Sequence, residues 1–403
     1  MAEGLGKNDG LIEEQYSFTP YRKDIEAPAR EGFFSMPSSA ATYATMKILG
    51  AQGDLKEMAV RNNSAPSTHG LKIYYGEKGD SRKLSFKRGG NEYIFEIDDI
   101  KTLSGYNKSV KKIFAYTLTK INQQAYSDGL FKRGHVSFPL QELVDVGIYK
   151  KIRAARAGYD DAMKALTSIK LGGKVKRGKK ETKVTSGKAG IEVIFPGAHI
   201  ENGICYVYLN ERISWELIAA FYTRIPAFYF QLPSKAADLL FYIFYLARQN
   251  IEKIKEKGYF DINLRSIAQF LGLPRETEAK NPTDAIKNKI EEAIKDIEAK
   301  LEESTEKGAF TITPYYKERA SITEYLDNGY IRVVLFGSYA SYFVELADKK
   351  TKGLEAARRK KERVEIAVKA KIAENKEKAK AKEEKEKADK KKAKEEPEAK
   401  AEE

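Results

Sequence analysis

The stretch SKAADLLFYIFYLARQNIEKIKEKGYFDINLRSIAQFLGLP, residues 234–274, decides the fold because three local patterns follow one another in it. Ser234–Lys257 has the composition of a long apolar helix, and Tyr259–Ile262 alternates apolar and polar residues as a short strand does. Leu264–Leu271 is a shorter helix, closed by the stop signals Gly272 and Pro274. This order predicts a small domain that mixes helices and strands.

The residues downstream complete this unit, and the residues upstream repeat it. Downstream, Pro282–Glu303 has isoleucines at helical spacing, and two strands follow at Phe310–Tyr315 and Tyr330–Phe336. The upstream elements, in the same order, are a helix at Asn107–Tyr126, a strand at His135–Phe138, helices at Leu140–Val146 and Tyr149–Ile169, and strands at Ile191–Phe195 and Ile204–Leu209. This is the order of a winged helix, a helix-turn-helix with a β wing. We therefore predict an α+β protein with tandem winged-helix domains at residues 105–210 and 211–343.

The remaining segments differ in composition. Residues 1–35 mix charges, Gly and Pro without periodicity, which predicts a flexible arm. Residues 36–104 contain short alternating runs between 71 and 97, which predict a small β-rich segment. Residues 344–403 become Lys-, Glu- and Ala-rich, which predicts a charged, partly helical tail.

The charge balance indicates a polyanionic partner in a reducing compartment. The net charge is +14, so nucleic acid is the first partner to expect and an anionic membrane surface the second. The most apolar run, Leu239–Ala247, is too short to span a bilayer, and the first residues do not resemble a signal peptide. The only cysteine, Cys205, lies in an alternating segment and is expected to be a buried strand residue. We expect a cytoplasmic protein.

The densest basic segment lies between Lys170 and Lys188, where eight lysines and arginines face one acid, Glu181. We interpret Leu171–Gly190 as the polar tip of a hairpin, a basic wing that neutralises phosphates of double-stranded DNA. The alternative is a merely solvated loop. The candidate DNA-binding residues of this segment are Lys174, Lys176, Arg177, Lys179 and Lys180.

The third helix of each predicted winged helix supplies further candidates, because its amino-terminal turns enter the major groove. The small residues Ala154, Ala157 and Gly158 are expected to permit close approach there. Acids later in both helices leave an ordinary solvent-exposed face as the alternative, more so in the second domain. The candidates are Lys150, Lys151, Arg153 and Arg156 in the first domain, and Lys280, Asn281, Thr283, Lys287 and Asn288 in the second.

Catalytic signatures are incomplete, so we expect no enzyme, no cofactor and no metal site. Gly173–Lys180 spells most of a phosphate-binding loop but lacks its final Ser or Thr. His69, His135 and His199 are isolated and lack paired metal-ligand spacing.

The chain resembles the initiator Rep proteins of iteron-bearing plasmids over residues 105–337. The resemblance rests on the strand HVSF and helix PLQEL at 135–143, on YDDAMKALTSI at 159–169, and on the long helix, strand and Leu-Gly-closed helix within 234–272. It implies binding to repeated origin DNA, help in melting the duplex, recruitment of host replication proteins, and dimers that act as self-repressors alongside monomeric initiators. In that family the carboxy-terminal winged helix commonly dominates repeat recognition, whereas basic residues here are denser in the first domain.

Two alternatives remain at this point. One is a winged-helix transcriptional regulator of a mobile element, which predicts a palindromic operator. The other is an interaction protein whose basic segment and charged tail bind another macromolecule.

Overall fold

The computed structural model describes residues 33–37, 40–50, 71–75, 82–88, 91–97, 109–127, 134–177, 180–183, 191–210, 213–214, 217 and 222–353. The chain divides into two compact bodies, Met1–Phe343 and Val344–Glu403. Of the second, residues 344–353 are helical, and the predicted tail beyond them lies outside the described residues. No helix in the described part is both long and apolar enough to cross a bilayer. Helices and small antiparallel sheets alternate, as the α+β prediction expected, whereas the domain boundaries stay predictions.

The amino-terminal elements are strand β1 (Phe33–Pro37), helix α1 (Ala40–Gly50) and strands β2 (Leu71–Tyr75), β3 (Arg82–Arg88) and β4 (Asn91–Ile97). Strand β1 corrects the prediction of a flexible arm at its end, because it pairs antiparallel with Tyr222–Pro226 and Met36 is fully buried. Helix α1 lies within the segment predicted as β-rich. The rest of the predicted arm, residues 1–32, lies outside the described residues.

The next elements are helices α2 (Val110–Ser127), α3 (Glu142–Asp145) and α4 (Ile152–Thr167) and strands β5 (His135–Pro139), β6 (Ile169–Arg177), β7 (Lys180–Lys183), β8 (Ile191–Val193), β9 (Gly197–Glu201) and β10 (Ile204–Tyr208). Helix α2 is stabilised by packing, since the apolar residues from Val110 to Ile121 that recur at spacings of three and four are fully buried. Cys205 is buried in β10, as predicted. Burial raises the pKa of its thiol to about 12.

Strands β6 and β7 correct the prediction of a polar hairpin tip over Leu171–Gly190, because residues 171–177 and 180–183 form an antiparallel pair within a larger sheet. Strand β6 pairs with β4 on one edge and with β7 and β8 on the other, which extends the amino-terminal sheet to six strands. The physical reason is the alternation of Ile169 and Leu171, both fully buried, which a polar tip would leave in water. The hairpin of the first predicted winged helix is instead β9–β10, closed by Asn202 and Gly203 with positive φ, the dipeptide that tight hairpin turns prefer.

The last elements are strand β11 (Tyr222–Pro226), helices α5 (Ser234–Gln249), α6 (Ile251–Lys257), α7 (Leu264–Phe270), α8 (Lys289–Glu303) and α9 (Ile322–Asn328), and strands β12 (Tyr259–Asn263), β13 (Phe310–Tyr315) and β14 (Tyr330–Leu335). A 3-10 turn (Ala227–Gln231) precedes α5, and a π-helical segment (Thr283–Asn288) leads into α8. The predicted helix over 234–257 is interrupted at Asn250, whose side-chain amide donates to the Leu246 carbonyl at 2.8 Å. Helix α9 was not predicted.

The described structure contains the same arrangement twice. The first repeat comprises α2, β5, α3, α4, β9 and β10, and the second comprises α5, β12, α7, α8, β13 and β14. In each, the last strand lies between the other two, giving the orders β5-β10-β9 and β12-β14-β13. The sequence of elements and the strand order therefore match between the repeats.

A buried ion pair joins the repeats. Lys111 of α2 contacts Asp238 of α5 at 2.5 Å, with side chains that are 11% and 5% exposed. The neighbouring Lys112 donates to the Phe230 and Leu232 carbonyls at 2.8 and 2.6 Å, and burial lowers its pKa to about 8. These contacts hold the start of α2 against the start of α5.

Removal of one partner of this pair should be costly. We expect Lys111→Met to lower the free energy of unfolding by about 3–5 kcal/mol, because Asp238 is left buried and unpaired, and Lys111→Met with Asp238→Leu to regain most of the loss. Urea unfolding measures both. As a control, Lys300→Met breaks the exposed 2.5 Å pair with Glu303 and should cost less than about 1 kcal/mol. Equal stabilities of wild type and Lys111→Met would refute this role of the pair.

Glu306 is a buried carboxyl in the connection between α8 and β13. One of its oxygens accepts from the Tyr339 hydroxyl at 2.9 Å, and the other has no partner among the described residues. Burial raises the pKa of this carboxyl from 4.5 to about 7. Because the folded state binds the proton more tightly than the unfolded state, the stability that Glu306 contributes is present below about pH 4.5 and is lost as pH rises through about 7.

We expect Glu306→Gln to remove this pH dependence, since a carboxamide stays neutral. The free energy of unfolding of the variant minus that of wild type should therefore increase between pH 4.5 and 7 and level off above it. Chemical denaturation at a series of pH values gives this difference. A flat profile for Glu306→Gln would contradict the assignment.

Candidate nucleic-acid interface

Helix α3 is fixed to α2 through one carboxylate. Glu142 accepts a short hydrogen bond from the Tyr116 hydroxyl and pairs with Lys120 at 2.6 Å. The chain then turns at Gly147, whose φ of +82° lies in the left-handed region that glycine adopts without strain. The turn delivers the chain to the start of α4.

Helix α4 is positioned by its buried side. The Tyr159 hydroxyl donates to the Tyr206 carbonyl of β10 at 3.0 Å, and Ala155, Ala162 and Leu166 are fully buried. Gly158 is buried too, because the ring of Tyr149 lies against it: a Cβ there would come within 2.0 Å of the Tyr149 hydroxyl oxygen. Gly158 therefore serves this packing contact, and the expectation that it permits approach to a ligand is wrong. Ala154 and Ala157 are exposed.

The exposed start of α4 is cationic, as the sequence suggested. Lys150, Lys151, Arg153 and Arg156 are all exposed, and none forms an ion pair within the described part of the chain. The first turn has no acid, and the side chain of Lys151 at the N-cap makes no capping bond. The helix dipole and four cations therefore present positive charge at one place. Asp160, exposed one turn later, limits this surface to the first two turns.

The basic segment belongs to a different sheet from the one that supports α4. Lys170 and Lys174 of β6 lie opposite Glu96 and Glu92 of β4, so acids neighbour both lysines. Lys176, Arg177 and Lys180 have described backbone in β6 and β7, but their side chains and all of Lys179 lie outside the described residues. The structure thus places this segment on the six-stranded sheet and leaves its DNA contacts a prediction.

The equivalent helix of the second repeat is less free to bind. Lys280, Asn281 and Thr283 are exposed at its start. The side-chain amides of Asn281 and Asn288 both donate to Asp284, the second at 2.7 Å. Lys287 lies over the Tyr316 ring, 4.9 Å from its centroid. Three of the five residues predicted to bind DNA therefore already contact side chains of the same helix or of Tyr316.

Sequence analysis missed the aromatic outer faces of the two small sheets. In the first repeat His199 stacks on Tyr206 at 4.8 Å, with Tyr208 beside them. In the second repeat Arg332 lies 3.9 Å from the centroid of Tyr259 and pairs with Asp261 at 2.8 Å. The strand alternation could have revealed these faces, because every second residue of a strand faces away from the buried side.

The described residues bear on the expectation of no metal site, and a cavity lies among them. No group of three or more His, Cys, Asp or Glu there is placed to hold a metal ion. A cavity of about 710 Å³ between α2, α5 and α8 has walls of mixed charge, so it is a poor receptor for an anion. Its charged lining residues are Lys111, Lys112, Lys235, Lys289, Asp238, Glu292 and Asp296.

Comparisons with known proteins gave limited similarity. No family model matches the chain, and no curated protein does. A crystal structure of domains 2 and 3 of RctB aligns with 68% of this chain and 94% of its own, at 11% identity and a TM-score of 0.38. A second RctB structure of the same domains covers 69% and 95%, at 10% identity and a TM-score of 0.35. TM-scores of this size do not establish a common fold.

The contact between Tyr149 and Gly158 can be tested directly. Replacement of a helical glycine by alanine ordinarily stabilises a helix, but Gly158→Ala should lower the free energy of unfolding by about 1–3 kcal/mol because the Tyr149 ring must move. Thermal unfolding measures the change. The double variant with Tyr149→Leu should recover part of it, and Ala157→Ser on the exposed face should change stability by less than about 0.5 kcal/mol. A stabilised Gly158→Ala would refute the contact.

Proposed function

We propose that this chain is a non-enzymatic DNA-binding protein of the replication-initiator type, whose two repeats are winged helices. The repeated order of helix, strand, two helices and two strands supports the winged-helix assignment. The central position of the last strand in both small sheets supports it too. In this proposal α4 and the helix that begins at Thr283 are the recognition helices.

The observation that carries the DNA-binding proposal is the cluster of Lys150, Lys151, Arg153 and Arg156. Four exposed cations without ion pairs at a helix start attract phosphates, and a guanidinium can also pair with two acceptors on a guanine edge. The second helix has fewer free cations, so most of the electrostatic contact is assigned to the first repeat. Double-stranded DNA is the proposed partner.

The tandem arrangement favours an initiator over a regulator. A dimeric helix-turn-helix regulator presents two identical helices, so its operator is palindromic. Here one polypeptide presents two recognition helices with different residues, which suits an asymmetric site repeated head to tail. Because the chain resembles plasmid Rep proteins, the proposal also includes a cytoplasmic location, recruitment of host replication proteins and a change between dimer and monomer.

Binding to DNA across a salt series tests this proposal, with duplex from the region that flanks the gene and a scrambled duplex. One variant neutralises the helix cluster, with Lys150, Lys151, Arg153 and Arg156 changed to Gln. A second neutralises Lys174, Lys176, Arg177, Lys179 and Lys180. We expect the first to lose preference for the native duplex, and the second to keep it with a shallower salt slope, by about 0.9 for each phosphate that the variant no longer neutralises.

A matched control separates direct binding from total charge. Lys253, Lys255, Lys257 and Lys307 are exposed on other elements, and their change to Gln removes the same charge as the helix variant. This control should retain the preference for native duplex. Footprints on direct repeats support the initiator, a single palindrome supports the regulator instead, and absence of DNA binding by wild type overturns the proposal.

A further inference from the structure

Ile152, the first residue of α4, has an exposure that its sequence pattern did not predict. Its spacing places it in line with the buried Tyr159, yet its side chain is 47% exposed. The apolar stripe of α4 enters the core only from Ala155 onward, so its first residue extends beyond the protein surface. Single exposed isoleucines are common, and the location of this one is what matters.

Three cations lie close to Ile152 along the helix surface. Lys151 and Arg153 are its chain neighbours, and Arg156 lies one turn later on the same flank. Ala154 and Ala157 are exposed and small, so they leave room for a partner to approach. A partner that fits this surface must therefore offer an apolar group between negative charges.

The major groove of DNA offers one group of that kind. Phosphates line both of its edges, and the C5-methyl group of thymine is the apolar group that base pairs expose on its floor. We infer that Ile152 is a specificity-determining residue that contacts a thymine methyl group next to the bases or phosphates bound by Arg153 and Arg156. This inference rests on the proposed function, in which α4 enters the major groove.

The second repeat supplies an internal contrast. At the corresponding start of its helix stands Thr283, and Asp284 follows it where the first repeat has Arg153. A thymine contact through Ile152 therefore predicts that at least one position dependent on a thymine methyl group lies in the half of the site bound by the first repeat.

Replacement of thymine by uracil tests the inference, because uracil deletes the methyl group and keeps the base pair. Each thymine of the footprinted native site is replaced in turn, and binding is measured for wild type, Ile152→Ala, Ile152→Val and Thr283→Ala. For wild type we expect one or two positions at which uracil weakens binding about three- to fivefold, the loss typical of one buried methyl group. Ile152→Ala should be insensitive at those positions, Ile152→Val partly sensitive, and Thr283→Ala as sensitive as wild type.

Two further measurements keep the outcomes distinct. Because Ile152 is exposed, Ile152→Ala should keep the unfolding temperature and salt slope of wild type, which shows that the fold and phosphate contacts are intact. Specific binding by wild type with no effect of uracil anywhere overturns this inference and leaves the proposed function standing. Equal uracil sensitivity in wild type and Ile152→Ala also overturns it. Absence of specific DNA binding by wild type overturns the proposed function itself.

Discussion

The burial of helix α5 is the constraint on which the rest of the molecule depends. An amphipathic surface helix buries one stripe, but 11 of the 16 residues of α5 are buried, so neighbours must cover it on several sides. Phe270 of the second repeat stacks on Tyr242 at 4.3 Å, and Tyr43 of α1 stacks on Tyr245 at 4.5 Å. The first repeat adds the Lys111–Asp238 pair. The two repeats and the amino-terminal helix thus share one core.

Local periodicity explains what the sequence could predict. The order of helices and strands in the second repeat, apart from α9, the burial of Cys205 and the core helix α5 all follow from patterns within single elements. In the first repeat the predicted wing strand at Ile191–Phe195 is wrong, because Ile191–Val193 joins the six-stranded sheet and Gly197–Glu201 pairs with β10 instead. Pairings between distant segments could not be obtained this way. Strand β1 pairs with β11 about 190 residues later, and β6 extends the sheet of β4, because edges with unpaired backbone groups find partners in three dimensions. A local signal did exist at Asn202–Gly203 for the true hairpin of the first repeat.

The positive charge of the candidate site could be predicted from the sequence, but which side chains are already engaged by neighbours could not. Helix spacing and the absence of acids identified Lys150, Lys151, Arg153 and Arg156, and all four are exposed. The second helix shows why composition is insufficient, because Asp284 engages both Asn281 and Asn288. Side chains three and four residues apart are neighbours on a helix, so a helical projection would have shown these contacts. A count of polar residues could not show them. Ile152 differs in the opposite way: its helical spacing aligns it with buried residues of α4, yet its side chain is exposed because the core begins only one turn later.

The two repeats therefore share a layout and differ in how their charges are used. In the second, Arg332 contacts Asp261 and three tyrosine rings, Arg265 pairs with Glu276 and Asp327, and Lys287 lies over tyrosine rings. These three cations therefore serve contacts within the repeat. In the first, the cations at the start of α4 form no ion pair with the described residues, and the outer face of the small sheet carries the stacked rings of His199 and Tyr206. Attraction of a polyanion depends on charges that are not already neutralised nearby. Under the proposed function, this difference assigns most of the DNA-binding surface to the first repeat, while the named cations of the second repeat stabilise its own fold.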